Sequence, residues 1–283
     1  MNPSSGLVQL DHLSLAIKLH LNTNRLSPKT IKCRGPLEAR AAVSTHLKEG
    51  VRKFVAVGGD GTINLLASQL VNTNATLGII PWGSGNGLAR HLGIPLSTKG
   101  AIRVLNRDRI AMIDYGLING TPFFCTSGVG FDAHVANYFN SMIIRGFIGY
   151  ARSSAVEFFR YKPENYLIRD GVRCIEREAF ALTVANASQF GNNAFIAPNA
   201  DITDGQLDVT IIAPFPTHAA PSIGLKLFTK RIHKSRYVET FRTRELSVER
   251  TTPGLVHFDG ESSTMGQTLA YSCKHLGLNV FVP

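Results

Sequence analysis

A glycine-rich loop that contains an acid is the first feature of this sequence that could do chemistry. Gly58-Gly59-Asp60-Gly61-Thr62 follows the apolar run Phe54–Val57 and opens a helical stretch that extends to about Leu70. Glycines let a backbone approach a ligand closely, and a helix N-terminus attracts phosphate. Because a carboxylate repels phosphate unless Mg²⁺ or a transferable proton lies between them, Asp60 favours metal-nucleotide chemistry. An ordinary strand-to-helix turn, with Asp60 or Thr62 as the helix cap, is the alternative.

A second glycine loop, Gly83-Ser84-Gly85-Asn86-Gly87, follows a second apolar run, Leu77–Ile80. Gly83 stands 25 residues after Gly58, which leaves room for one helical crossover between neighbouring parallel strands. Both loops are then predicted at the same edge of the sheet, where open α/β sheets bind ligands. Neither loop has the Walker A pattern or the G-x-G-x-x-G pattern, so a Rossmann dehydrogenase is disfavoured.

The pattern of the sequence changes near residue 113. Before it, apolar runs alternate with helical stretches, which is typical of a parallel α/β sheet. After it, Asn119-Gly120 and Asp170-Gly171 predict antiparallel hairpins, and one long helix is predicted over about residues 133–160. We therefore predict an α/β fold: a nucleotide-binding domain over residues 1–113 and a β-rich domain over residues 114–283, with an active cleft between them. The final predicted strand could return to the first domain.

The composition is that of a globular chain with a basic charge. The 283 residues include 30 Lys and Arg against 20 Asp and Glu, a net charge of +10, which biases the protein toward anionic partners. We recognise no nucleic-acid-binding motif, no signal sequence and no membrane-spanning run. We therefore expect a cytoplasmic protein that does not bind nucleic acid, and we leave open whether it forms a homodimer.

The two loops with their flanking residues, Val57–Asn64 and Ile80–Arg90, closely resemble the catalytic domain of the diacylglycerol kinase and sphingosine kinase family of lipid kinases. Asn2–Gly6 resembles the family's opening motif, Ala197–Asp208 its acidic loop, and Phe258–Glu261 its late Asp-Gly-Glu. The resemblance covers nearly the whole chain. It implies ATP and Mg²⁺ as cofactors, a lipid as substrate, and a β-sandwich as the second domain.

The resemblance also implies the residues that bind and transfer the phosphoryl group. Asp60 is expected near the catalytic Mg²⁺. Glu261, with Asp259 beside it, is expected to accept the proton of the lipid hydroxyl, and which of the two is the base stays open. The residues expected to bind the ATP phosphates are Gly58, Gly59, Asp60, Gly61, Thr62, Asn64, Gly83, Ser84, Gly85 and Asn86.

By the same resemblance, the acidic loop would bind a second, structural Mg²⁺. Its ligands would be Asp201, Asp204 and the main-chain carbonyl of Gln206, with Asp114 in the same cluster. On the residues alone, a solvated Asp-Gly turn is the alternative. The family's opening motif follows a first strand, whereas Asn2 is the second residue here, so we expect that strand to be missing.

Other functions are also open. NAD kinases and phosphofructokinases share a Gly-Gly-Asp-Gly loop, although the second glycine loop and the acidic loop fit those families poorly. A third alternative is not an enzyme: a catalytically inert protein that senses a nucleotide or a phospholipid. The retention of Asp60, Asp204, Asp259 and Glu261 favours an enzyme.

One segment could bring the protein to its lipid. Ser222–Tyr237 mixes apolar residues with five Lys and Arg, and it is predicted to form one helix with apolar and basic faces. Such a helix can lie on an anionic membrane surface. A partly buried helix with a solvated basic face is the alternative.

Overall fold

The computed structural model describes residues 7–23, 26–141, 158 and 160–283. The chain divides into two compact units, Met1–Ile113 together with Leu276–Pro283, and Asp114–His275. Most of the helix predicted over residues 133–160 lies outside the described residues, as does the opening motif Asn2–Gly6. Across the described ranges, no helix is long and apolar enough to cross a membrane.

The first unit is a parallel sheet with helices. Its described elements are α1 (Leu7–His20), α2 (Pro36–Lys48), β1 (Lys53–Gly58), α3 (Asp60–Leu70), β2 (Thr76–Pro81), α4 (Gly87–His91) and α5 (Thr98–Arg107). Strand β1 pairs with β2 in parallel, from Lys53 opposite Thr76 to Gly58 opposite Pro81. The final strand, β14 (Thr268–Phe281), adds to the other side of β2 in parallel through Asn279 and Val280.

Apolar residues explain this arrangement. Every residue of β2 is buried, as expected for a strand covered on both faces. Helix α3 packs on β1, and α5 packs on β2 through a buried face that includes Ile102 and Leu105. The predicted parallel strands and the helix that joins them are confirmed.

The second unit is built mainly of antiparallel strands. They are β3 (Ile110–Ile118, which crosses the boundary at residue 113), β4 (Thr121–Phe123), β5 (Thr126–Gly130), β6 (Glu164–Arg169), β7 (Cys174–Ala179), β8 (Ala181–Ala185), β9 (Leu207–Ile212), β10 (Val238–Thr243), β11 (Glu245–Arg250), β12 (Gly254–Phe258), β13 (Glu261–Met265) and the first part of β14. Among the described residues, its helices are α6 (Phe131–Ser141) and α7 (Ala220–Phe228), with two short 3₁₀ turns.

These strands form a β-sandwich, as expected. One sheet has the order β10-β9-β8-β5-β12-β13. In the other, β11 pairs with β6 and with the first part of β14, and β6 pairs with β7. Both sheets contribute to one buried core, with Val184 and Val256 from the first and Tyr166 and Leu269 from the second.

The prediction of one helix over Ser222–Tyr237 is wrong, because the observed helix is shorter. Helix α7 ends at Phe228, Lys230 has a positive φ of 59°, and a 3₁₀ turn follows over Ile232–Lys234. A residue in the left-handed region cannot continue an α-helix. The apolar and basic residues of this segment are therefore not two faces of one helix.

Gly116 tests the packing of the sandwich. It faces Phe123 across the β3–β4 pair, and a Cβ atom on Gly116 would lie 2.1 Å from Cζ of that fully buried ring. We expect Gly116→Ala to lower the free energy of unfolding by about 1–3 kcal/mol because the core is overpacked. Urea denaturation measures this change. Gly266→Ala is the matched control, since nothing lies within 4 Å of its Cβ position; equal stability of the two variants would contradict this packing.

Candidate active site

The two glycine loops leave the sheet at the same edge. Gly58 and Pro81, the last residues of β1 and β2, lie opposite each other in the parallel register. The N–H of Trp82 donates to the carbonyl of Gly58 at 2.8 Å. The predicted placement of both loops beside each other is confirmed, at the carboxyl ends of parallel strands where such sheets bind ligands.

Two of the glycines stand at the contact between the loops. A Cβ atom on Gly83 would lie 2.5 Å from Cα of Gly59, and one on Gly59 would lie 3.2 Å from Cα of Gly83. Real Cβ atoms essentially never come as close as 2.5 Å, so the contact requires glycine at position 83, and 3.2 Å is tighter than most real contacts, so it favours glycine at position 59. These glycines therefore form the loop-to-loop contact, a role that sequence reasoning did not assign to them.

The Asp60 carboxylate joins the loops by hydrogen bonds. Its Oδ2 accepts the N–H of Asn86 at 2.9 Å, and its Oδ1 accepts the N–H of Gly87 at 2.7 Å. Gly87 begins α4, so Asp60 satisfies N–H groups at the start of that helix, as a capping residue does within its own helix. Asp60 thus has a positioning role, and its predicted role near Mg²⁺ stays a prediction.

Asn86 fixes the shape of the second loop. It is buried and adopts a left-handed backbone conformation with φ of 53°. Its side-chain amide forms two hydrogen bonds with the backbone of Gly83, one as acceptor and one as donor. Gly83 N–H donates to Asn86 Oδ1 at 2.9 Å, and Asn86 Nδ2 donates to the Gly83 carbonyl at 2.7 Å. The side chain predicted to bind phosphate is therefore engaged with its own loop.

The remaining predicted phosphate-binding residues surround this junction. Gly61 and Thr62 lie in the first turn of α3, where backbone N–H groups have no partner within the helix. Asn64 Oδ1 accepts the hydroxyl of Ser68, one turn further along, at 3.2 Å. Ser84, next to Gly85, is exposed at the tip of the second loop. The first unit therefore places the start of a helix, a position that favours anions, beside an exposed hydroxyl.

In the second unit, Asp259 lies in a hairpin turn. Asp259 and Gly260, with φ of 48° and 83°, form the two-residue loop between β12 and β13. Positive φ at both positions is the requirement of the type I′ turn, which Asp-Gly satisfies well. The backbone of this dipeptide therefore forms an ordinary hairpin turn.

The Asp259 side chain does more than a turn requires. Its carboxylate is buried and accepts three backbone N–H groups, from Phe124 at 2.8 Å, Cys125 at 2.7 Å and Thr126 at 3.2 Å. Hydrogen bonds from N–H groups to a carboxylate are strong because the acceptor is charged. Asp259 therefore holds the chain between β4 and β5. Glu261 begins β13 and is exposed.

In the acidic loop, carboxylates accept hydrogen bonds from residues of the same loop. Asp201 Oδ1 accepts the N–H and the hydroxyl of Thr203 at 2.9 and 2.7 Å, and Asp204 Oδ1 accepts the N–H of Gln206 at 2.9 Å. Asp114 is fully buried, and its Oδ2 accepts the N–H of Gly205 at 2.6 Å. The structure thus brings Asp114 next to the loop, as expected.

Sequence reasoning missed two residues of this cluster: His275, whose Nδ1 lies 2.9 Å from Asp114 Oδ1, and Arg242. Its guanidinium lies 3.5 Å from Asp204 Oδ2 and 3.2 Å from Asp208 Oδ1, and it donates to the carbonyl of Asn199 at 2.6 Å. Burial raises the pKa of Asp208, and the Arg242 charge opposes that shift. Arg242 lies in β10, a strand that the sequence pattern did not predict.

The Cys273 thiol lies near the carboxylates of this cluster. Burial, and then the carboxylates of Asp114 and Asp204, raise the pKa of the Cys273 thiol to about 12. Over the described part of the chain, no group of three or more His, Cys, Asp or Glu side chains is arranged to hold a metal. The expected ligand set has two carboxylates and a main-chain carbonyl, and such all-oxygen sets fit a hard cation. Mg²⁺ at this loop stays a prediction.

Comparison with known proteins agrees with this architecture. The family model for the diacylglycerol kinase catalytic domain matches residues 1–118, and the model for the YegS C-terminal NAD kinase beta sandwich-like domain matches residues 126–281. An α/β unit with a parallel sheet, followed by a β-sandwich, is thus the class of protein that the fold defines.

Relatives identify the family. A protein of Pseudomonas aeruginosa named "Probable lipid kinase YegS-like" is 31% identical over 250 residues, 87% of this chain and 82% of that protein. A diacylglycerol kinase of Mycobacterium tuberculosis is 30% identical, over 79% of this chain and 75% of that protein. The chain therefore belongs to the family of YegS-like lipid kinases and diacylglycerol kinases. This chain spans 56% of the length of one further relative, a Synechocystis protein that is 31% identical to it over 251 residues.

A solved structure shares the fold. The crystal structure of a diacylglycerol kinase from Bacillus anthracis superimposes with a TM-score of 0.71 at 18% identity, and it covers 89% of this chain and 84% of that one. At this identity the likeness concerns the fold alone.

Asp60→Asn tests the junction between the loops. The substitution keeps the size of the side chain but replaces one acceptor oxygen by an amide, so one of the two N–H groups at the start of α4 loses its partner. We expect faster hydrogen exchange at the amides of Asn86 and Gly87, and a loss of about 1–3 kcal/mol in the free energy of unfolding. NMR-detected exchange measures the first change, and urea denaturation the second.

Asp108→Asn is the control, because Asp108 accepts from Lys53 on the surface at 2.6 Å, where an ion pair contributes about 0.2–1 kcal/mol. Unchanged exchange at Asn86 and Gly87 in Asp60→Asn would show that the carboxylate does not join the loops.

Proposed function

We propose that this protein is an ATP-dependent lipid kinase that phosphorylates a hydroxyl group of a diacylglycerol-like or sphingosine-like lipid. The observation that carries the proposal is the junction of the two glycine loops at the ends of β1 and β2, in a chain of the lipid kinase family. Backbone N–H groups at the start of α3 and the Ser84 hydroxyl would receive the ATP phosphates. The predicted active cleft and these contacts are part of the proposal.

The reaction needs positioning and charge stabilisation more than covalent chemistry. The lipid hydroxyl oxygen forms a bond to the γ-phosphorus while the bond from that phosphorus to the β–γ bridging oxygen breaks, and ADP leaves. The hydroxyl proton passes to a carboxylate. When bound, Mg²⁺ would offset the negative charge of the phosphates, and Asp60 is the residue proposed to lie near it.

Glu261 is the better candidate for the general base. Asp259 is buried and already accepts three N–H groups, so its carboxylate is committed to the backbone between β4 and β5. Glu261 begins the next strand with an exposed side chain. A base must come within hydrogen-bond reach of the substrate hydroxyl, which exposure permits. In this account Asp259 positions the turn and Glu261 takes the proton.

Transfer of radiolabelled phosphate from ATP tests the function. We expect label in the organic phase with one of diacylglycerol, monoacylglycerol, sphingosine or ceramide, and none with NAD or fructose 6-phosphate. Label on NAD or on the sugar would support the alternative kinases. ATP binding without transfer to any acceptor would support an inert sensor.

Glu261→Gln and Asp259→Asn separate the two acidic roles. We expect Glu261→Gln to lower turnover by about 10²–10⁴-fold, with ATP affinity and thermal stability unchanged. We expect Asp259→Asn to lower the free energy of unfolding by about 1–3 kcal/mol, because an N–H group loses its acceptor. Steady-state kinetics, ATP titration and urea denaturation measure these effects.

Glu176→Gln, at an exposed position in β7, is the control for loss of one negative charge. If Glu261→Gln is fully active and Asp259→Asn is stable but inactive, the base is Asp259.

We also propose the structural Mg²⁺ at the acidic loop. With MgCl₂ compared with NaCl at equal ionic strength, the thermal midpoint of the wild type should rise by about 5 °C near saturation, because a ligand of the native state stabilises it. Asp204→Asn should abolish the rise. Asp170→Asn is the matched control, since Asp170 accepts backbone N–H groups in a different turn, at Val172 and Arg173. A rise that persists in Asp204→Asn would place the cation elsewhere.

A further inference from the structure

Two apolar side chains are exposed at the end of α7. Leu225 is 65% exposed and Phe228 is 46% exposed, whereas Ile223 of the same helix is buried and Leu227 packs against the aromatic cluster around Phe180. The two inward residues hold the helix on the protein. The outward pair therefore exposes an apolar spot on the surface of the second unit.

Basic side chains follow this spot along the chain. We call them the basic rim, and all of them are exposed: Lys230, Arg231, Lys234 and Arg236. No Asp or Glu occurs anywhere from Val209 to Val238. The basic rim therefore has no acidic neighbour within its own segment of chain.

The rim is held in a defined shape. Ile232 is fully buried in the middle of it, and Ser235 is buried as well. The N–H of Arg231 donates to the carbonyl of Lys226 at 2.8 Å, and the N–H of Ala213 donates to the carbonyl of Tyr237 at 2.8 Å. Because the backbone is anchored at these points, little ordering is needed when the charges bind a partner.

We propose that Leu225, Phe228 and the basic rim form the surface through which this protein binds anionic lipid membranes. Exposed apolar side chains enter the headgroup region, and each Lys or Arg near an anionic surface adds attraction. The partner is chosen by charge complementarity, since exposed cations follow the apolar spot in a segment of chain that contains no Asp or Glu. The choice of a membrane rests on the proposed lipid substrate, but the binding can be measured without ATP.

The net charge of +10 is the main competing explanation, because any basic protein binds anionic vesicles to some extent. The variant Lys230→Glu/Arg231→Glu/Lys234→Glu is therefore compared with Lys18→Glu/Arg40→Glu/Lys48→Glu, which makes the same change in charge at exposed positions of α1 and α2. Phosphatidylcholine vesicles with and without phosphatidylglycerol are the probe, in co-sedimentation without nucleotide.

We expect the rim variant to bind phosphatidylglycerol vesicles about 100-fold more weakly than wild type, and the α1–α2 variant to lose much less. Binding of the wild type should weaken as salt approaches about 1 M, where the Debye length is about 3 Å. In the wild-type background, Leu225→Ser should also weaken binding. Val172→Ser should not, although Val172 is 93% exposed in the β6–β7 turn. Equal losses in the two charge variants would overturn the proposal.

Hydrogen exchange of the wild type gives a second measurement that needs no variant. Vesicles should protect amides between Leu225 and Arg236, and protection found only elsewhere would overturn the assignment. Binding of a double-stranded DNA oligonucleotide by the rim, with no binding to vesicles, would make the partner a nucleic acid instead.

The kinase and membrane proposals can fail separately. If the rim variant still phosphorylates a short-chain, water-soluble diacylglycerol at the wild-type rate, its loss of vesicle binding concerns the membrane surface alone. If the wild type binds vesicles but phosphorylates no lipid, the membrane surface stands and the kinase proposal fails.

Discussion

The hydrogen bonds from Asn86 and Gly87 to Asp60 are the interaction on which the proposed site depends. They connect the start of α3 with the start of α4, and therefore fix two glycine loops that come from different strands. Gly59 and Gly83 allow the connection, because a Cβ atom on Gly83 would overlap the backbone of Gly59. If the loops separated, the N–H groups of the first and the hydroxyl of the second could no longer bind one triphosphate.

The same principle operates in the second unit. The Asp259 carboxylate accepts hydrogen bonds from three backbone N–H groups. These bonds fix the turn that precedes Glu261. In each unit, a carboxylate of a recognisable motif, Asp60 or Asp259, thus accepts hydrogen bonds from backbone N–H groups. An acid in a recognisable motif can serve the site by positioning it, and Glu261, whose side chain is exposed, is better suited to meet a substrate.

The sequence predicts an element correctly where its residue pattern is compatible with only one type of secondary structure. The runs Phe54–Val57 and Leu77–Ile80 are apolar throughout and end in glycine loops, so two parallel strands were predictable, although only the second of them is buried throughout. Strand β13 was missed because Glu261–Met265 is mainly polar, and its partner strand rather than its own pattern holds it in the sheet. The end of α7 was misplaced because the alternation of basic and apolar residues continues to Tyr237, whereas the positive φ at Lys230 leaves no trace in residue type. Arg242 was missed because its acidic partners are distant in the chain.

Backbone chemical shifts on adding a nonhydrolysable ATP analogue with Mg²⁺ test the central claim most directly. If Asp60 holds the two loops as one nucleotide site, the amides of Gly59–Thr62 and of Gly83–Gly85 should shift together along a single binding curve. Shifts confined to one loop, or found only outside both loops at saturation, would contradict the account.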